Sequence, residues 1–143
     1  MTKYESEIKT ISSSEEVVFG ILGDLNNLGK LKDQESVAEN LKIIDFSKDS
    51  CLLEVKGVGK VGFRIIEREA YKTIKFESFD LPVQMNAWIQ LKQTDENDTK
   101  MKLTFAAELP PMIKMMLNNK LEKGINMLAD FFENYLNTQL KKQ

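Results

Sequence analysis

The chain has no histidine, one cysteine (Cys51), one tryptophan (Trp88) and three prolines in 143 residues. Without histidine, Ser-His-Asp and Cys-His nucleophilic arrangements are excluded, and the commonest zinc ligand is missing. A lone cysteine cannot close an intrachain disulfide, so nothing points to an oxidising compartment. Long apolar runs are also absent: no segment approaches the ~20 residues needed to span a bilayer, and the opening Met1-Thr2-Lys3-Tyr4-Glu5-Ser6-Glu7 lacks the apolar stretch of a secretory signal. A cytoplasmic location is therefore expected, and Asn97-Asp98-Thr99 matches the glycosylation pattern by chance. The net charge of -2 supplies no broad field for nucleic acid or an acidic membrane, although local patches remain open. Neither nucleic-acid binding nor stable membrane insertion is expected.

What is present is ordinary for a soluble globular domain, with 42% apolar and 29% charged residues. At this length a single domain spanning 1–143 buries roughly 68–70% of its unfolded surface on folding, enough for a core. No internal repeat, linker or low-complexity tract divides it.

Tyr4 to Ile11 predicts a strand, with Tyr4, Ser6 and Ile8 on one face and Glu5, Glu7 and Lys9 on the other. Ser12-Ser13-Ser14-Glu15-Glu16 then offers overlapping capping boxes, in which a Ser oxygen accepts an orphan N–H and a Glu reaches back. Val17, Val18, Ile21, Leu22 and Leu25 follow at helical spacing. Gly23-Asp24 breaks that helix, and Leu25, Leu28 and Leu31 predict a second short helical turn before a polar stretch ending near Asn40. From Leu41 onward six strands are predicted, at 41–47, 51–57, 60–69, 72–79, 83–94 and 99–108. Their separators are short enough to make neighbours antiparallel. Pro110 and Pro111 suit a first helical turn, where a missing N–H costs little. Ile113, Leu117, Leu121, Ile125, Leu128, Phe132 and Leu136 then recur every three or four positions, predicting an amphipathic rod of roughly 45 Å.

Several motifs have a structural and a chemical interpretation. Gly57-Val58-Gly59-Lys60-Val61-Gly62 matches the dinucleotide pattern, but a strand rather than a helix follows it, so a glycine-rich hairpin is expected. Cys51 has no obvious cationic activator beside it and is expected to be a buried structural thiol. Asp95, Glu96 and Asp98 lack the later bidentate Glu of a calcium loop and read as a solvated turn. Glu67 and Glu69 lie close to the only two arginines, Arg64 and Arg68; strict alternation with Phe63 and Ile65 turns Glu67 inward, whereas a bulge near Ile65-Ile66 returns it to solvent. Trp88 alternates with Asn86 and Gln90 on the face away from the core, where it is a candidate contact for a partner or a second copy.

In its order of elements the chain resembles the helix-grip fold of the START-like, or SRPBCC, superfamily, which includes polyketide cyclases, pollen-allergen-like carriers and lipid-transfer domains. The resemblance is carried by Lys3-Tyr4-Glu5-Ser6-Glu7-Ile8, Ser14-Glu15-Glu16-Val17, Gly23-Asp24-Leu25-Asn26-Asn27-Leu28, Arg64-Ile65-Ile66-Glu67 and the final helix. It implies an α+β domain in which a curved antiparallel sheet of about seven strands (β-α-α-β6-α) wraps a long C-terminal helix. A cavity between helix and sheet is implied as well, but not what fills it.

The leading expectation is reversible binding of a hydrophobic small molecule, lipid or polyketide-like, without cofactor or metal. Methionine is flexible and polarizable, so Met112, Met115, Met116 and Met127 are either plain core or an adaptable wall. The residues expected to line the site are Phe63, Phe76, Met85, Ala87, Leu103, Phe105, Met112 and Met116, with Tyr4, Ser6 or Ser78 as polar contacts. Two alternatives stand beside this. The resemblance permits an enzyme of the polyketide cyclase or dehydratase type, using Glu67 or Tyr4, although no catalytic constellation is recognisable. An interaction module, with Trp88 at a homodimer or partner interface, is the other.

Overall fold

The alternation that begins at Leu41 becomes one continuous sheet. A computed structural model describes residues 2–30, 41–56, 59–81 and 83–141. The polar stretch toward Asn40, the Gly57-Val58 turn and Pro82 lie outside the described residues. Among those described, the strands are β1 (Thr2–Glu5), β2 (Lys9–Ile11), β3 (Leu41–Phe46), β4 (Ser50–Val55), β5 (Gly59–Glu69), β6 (Thr73–Phe79), β7 (Met85–Asp95) and β8 (Asp98–Ala107). They form one antiparallel sheet in the order β1-β8-β7-β6-β5-β4-β3, with β2 also on β8. The helices among the described residues are α1 (Glu15–Leu22), the long α2 (Pro111–Lys141) and a short 3-10 helix at Leu25–Lys30.

Among the described residues the strands number eight because the stretch expected to be one strand from Tyr4 to Ile11 is split. Residues 6–8 leave the ladder, and Ile8 is exposed. The chain stays attached at the break through Ser6, whose N–H donates to the Leu103 carbonyl and whose Oγ accepts the Leu103 N–H, both at 2.9 Å. Helix α1 is capped by Ser14 Oγ, which accepts the Val17 N–H. Glu15 does not reach back as in a capping box; its carboxylate instead takes Lys72 Nζ at 2.7 Å and the Gln93 N–H at 3.1 Å. The Lys72 ammonium holds this carboxyl below its ordinary value.

One face of the sheet is dry. Tyr4, Cys51, Ile65, Ile74, Phe76, Ile89, Leu91, Met101 and Leu103 join Val18, Phe19 and Leu22 of α1 and Ile125, Ala129 and Leu136 of α2 in one buried cluster. Helix α2 runs along the β1–β2 edge and ties down its unpaired donors. Asn126 Oδ1 accepts the Glu7 N–H at 2.9 Å, Glu133 the Thr10 N–H at 3.2 Å, and Asn137 Oδ1 the Ser12 N–H at 2.7 Å. From Asn118 to Asn137 a helix advances about 28 Å, and from Tyr4 to Ser12 extended chain covers about 26 Å, so strand and helix stay in step. A sheet edge open to pairing with other chains is thereby closed.

Candidate functional site

The dry face is lined by rows of side chains that run across strands. In one row Ile65, Phe76, Ala87, Phe105 and Tyr4 are successive cross-strand partners. Ala87 is the small member, set between two phenylalanines, so the floor dips there. Beside this row, Phe63 faces Ser78, and the Ser78 hydroxyl accepts the Met85 N–H at 2.9 Å.

Burial along this face is graded. Near α1, Met101 and Thr99 are fully buried; in the row of Ile74, Ile89 and Leu103 all three are buried; in the next row Phe76 is buried but Ala87 and Phe105 are half-buried, and beyond it Phe63 and Met85 are half-buried beside the buried Ala107. The sheet-facing positions of α2 follow the same trend. Leu136 and Ala129 are fully buried, Ile125 is buried, Leu121 and Asn118 are half-buried, and Lys114 is exposed. Helix and sheet therefore form a wedge, closed near the C-terminal end of α2 and open toward its first turns. At the open side the Tyr4 hydroxyl donates to Asn118 Oδ1 at 2.9 Å, and the Tyr4 and Phe105 ring centroids lie 6.2 Å apart.

Of the residues expected to line a site, Phe63, Phe76, Met85, Ala87, Leu103 and Phe105 lie on β5–β8, and all but Met85 belong to or pack against the common core. Met112 and Met116 are not brought to this face. They precede Leu121 and Ile125 by nine residues each, two and a half turns, so they sit on the opposite side of the helix. Both are largely exposed, as are Met115 and Met127. The predicted apolar stripe departs in the same way at Ile113 and Leu128, which face water, while Ala129 takes a buried place. Asn118 was not legible as a contributor. The signal for it is the polar series Asn118, Asn126, Glu133 and Asn137, which follows the edge of the buried stripe.

The other motifs resolve into structural roles. A register shift between Ile65 and Glu67 turns Glu67 to solvent. Arg64 pairs with Glu77 at 3.6 Å and lies over the Phe79 ring, while Arg68 binds Asp49 at 2.5 Å and the Gly23 carbonyl at 2.9 Å. Gly62 is required by packing, because a Cβ there would meet the Phe79 ring at 2.5 Å. Gly59 opens β5 at a φ of 106°, a conformation that favours glycine. Burial pushes the Cys51 thiol up to about 11, which keeps it protonated and a poor nucleophile. Trp88 is half-buried on the outer face, with Lys75 Nζ 5.6 Å from its ring centre. Among the described residues no group of three or more acidic or cysteine side chains is placed to hold a metal.

Comparison with solved structures identifies the architecture. The chain aligns over 94% of its length with norcoclaurine synthase from Thalictrum flavum in complex with dopamine and hydroxybenzaldehyde, at a TM-score of 0.73 and 13% identity, covering 86% of that chain. It aligns over 99% with the di-domain ARO/CYC protein BexL of the BE-7585A biosynthetic pathway, at 0.67 and 11% identity, spanning 47% of that protein. A START superfamily protein from Mycobacterium smegmatis matches over 96% of this chain and 98% of its own, at 0.62 and 13% identity. No protein-family profile and no curated protein sequence matches the chain. At these identities the likeness is one of fold, and that fold is the helix grip.

Proposed function

We propose that this helix-grip domain binds an apolar small molecule, lipid or polyketide-like, in the open part of the wedge between α2 and strands β5–β8. The observation that carries it is incomplete cover: Phe63, Met85, Ala87 and Phe105 share the inner face with buried neighbours yet are only half-buried, on the side toward the first turns of α2. Phe63, Phe76, Met85, Ala87, Leu103 and Phe105 would form the wall, with Tyr4, Asn118 and Ser78 as its polar groups. Covering ~250 Å² of apolar ligand surface supplies roughly 6 kcal/mol gross at about 25 cal/mol/Å². Immobilisation costs reduce this, so affinity in the micromolar range or weaker is expected.

Fatty acids, sterols and polyaromatics are expected to displace anilinonaphthalene sulfonate from the protein and to raise its Tm by several degrees at saturation. Ala87→Trp fills the dip between Phe76 and Phe105, so it should remove probe binding while the protein still unfolds cooperatively. Absence of displacement and of any thermal shift across the panel would sink the proposal.

One contact favours a second reading. The Tyr4 hydroxyl stands at the wedge, held by Asn118, where it could pass a proton to a bound carbonyl compound in a cyclase or dehydratase-type reaction. Tyr4→Phe would then stop turnover of a polyketide-like substrate with probe affinity retained; equal turnover by the variant would rule this out.

A further inference from the structure

The first turns of α2 carry a feature that the wedge does not use. From Pro111 to Met116 every residue is exposed. A helix resting on a protein body hides one side in each turn, so exposure all round means that this end projects. Apart from Lys114, what projects is apolar: Met112, Met115 and Met116 are 74%, 85% and 70% exposed, and Ile113 is exposed beside them. Behind the tip, Lys120 and Lys123 are exposed on the same side. At 100° per residue they lie within about 40° of the Met116 direction, roughly 6–11 Å back along the axis. The acid between them, Glu122, points about 120° away from Met116.

We infer that the tip of α2 docks peripherally on an anionic lipid surface, with Met112, Met115 and Met116 entering the boundary between headgroups and acyl chains and Lys120 and Lys123 meeting the headgroup phosphates. The spacing fits, because interfacial helices bury their apolar part by about 5–10 Å and leave their lysines at the charged layer. Shape fits too, because a projecting tip penetrates a soft surface. No helix among the described residues is long and apolar enough to cross a membrane, so the contact is peripheral.

The test is flotation of the purified full chain with vesicles of phosphatidylcholine alone and of phosphatidylcholine containing phosphatidylglycerol. Recovery should be several-fold higher on the anionic vesicles and should fall with added salt. Met112→Ser/Met115→Ser/Met116→Ser should lower it by about tenfold or more, and Lys120→Glu/Lys123→Glu should remove the preference for anionic lipid. These side chains are exposed, so circular dichroism of the variants should match the parent. Three results would overturn the inference: no recovery on anionic vesicles, undiminished binding by the methionine variant, or a concentration-dependent dimer that the methionine variant loses. The last would assign the tip to a second copy of the chain.

Discussion

Ser6 is the residue on which the split first strand depends, and Ser6→Ala tests that dependence directly. Its Oγ accepts the Leu103 N–H at 2.9 Å and donates to the Glu7 carbonyl at 2.9 Å. Ser6 is 6% exposed and Leu103 4%, so water cannot readily replace the lost acceptor. A buried amide left without a partner costs about 1–3 kcal/mol, and the methyl group of alanine offsets little of it. The expected loss is therefore ~2 kcal/mol in urea unfolding, or roughly 4–8 °C in Tm for a chain of this length. Ser47→Ala is the control, because its hydroxyl is exposed and its removal should stay within about 0.5 kcal/mol. Hydrogen exchange adds a local readout, since the Leu103 amide should exchange faster in Ser6→Ala beyond the global change. A loss no larger than that of Ser47→Ala, or an unaltered Leu103 amide, would refute the assignment of Ser6 as the pin that holds β1 and β2 on β8.

Two further predictions concern the sheet. Gly62→Ala should cost ~1–3 kcal/mol, because its Cβ would displace the Phe79 ring from beneath Arg64. In the Phe79→Ala background the same change should cost much less, and equal costs in both backgrounds would refute the packing role. Between the ordinary thiol value of 9.0 and about 11, the unfolded chain releases a Cys51 proton that the folded chain keeps, so stability falls as pH rises through this window. Cys51→Ala should flatten that slope relative to the parent, and unchanged slopes would show that the thiol is not held protonated by folding.

Much of the fold was legible from local patterns. Period-2 alternation and short turns gave β3–β8 close to their observed limits, and Pro110-Pro111 marked the start of α2 correctly. These signals are local because alternation and capping depend on residues a few positions apart. The split at Ser6–Ile8 escaped, since its cause is a hydrogen bond to Leu103 on a strand far along the chain. The direction of Glu67 was left open between alternation and a bulge. Only pairing with Lys75 and Phe76 on β6 decided it, through the register shift between Ile65 and Glu67.

The candidate site divides in the same way. Alternation alone determined that Phe63, Phe76, Ala87, Leu103 and Phe105 share the inner face, because a pleated strand allows two faces and the polar residues claim one. It did not determine which side of α2 meets that face. Helical periodicity places Met112 and Met116 two and a half turns from Leu121 and Ile125, but their orientation toward the sheet depends on how the whole rod is rotated. That rotation is set by Asn118, Asn126, Glu133 and Asn137, bound to the β1–β2 edge. The sequence by itself thus determined a methionine-rich helix laid along a dry sheet. Tertiary structure alone decided that the helix methionines face outward and that burial on α2 thins toward its start, because both follow from contacts between segments more than a hundred residues apart.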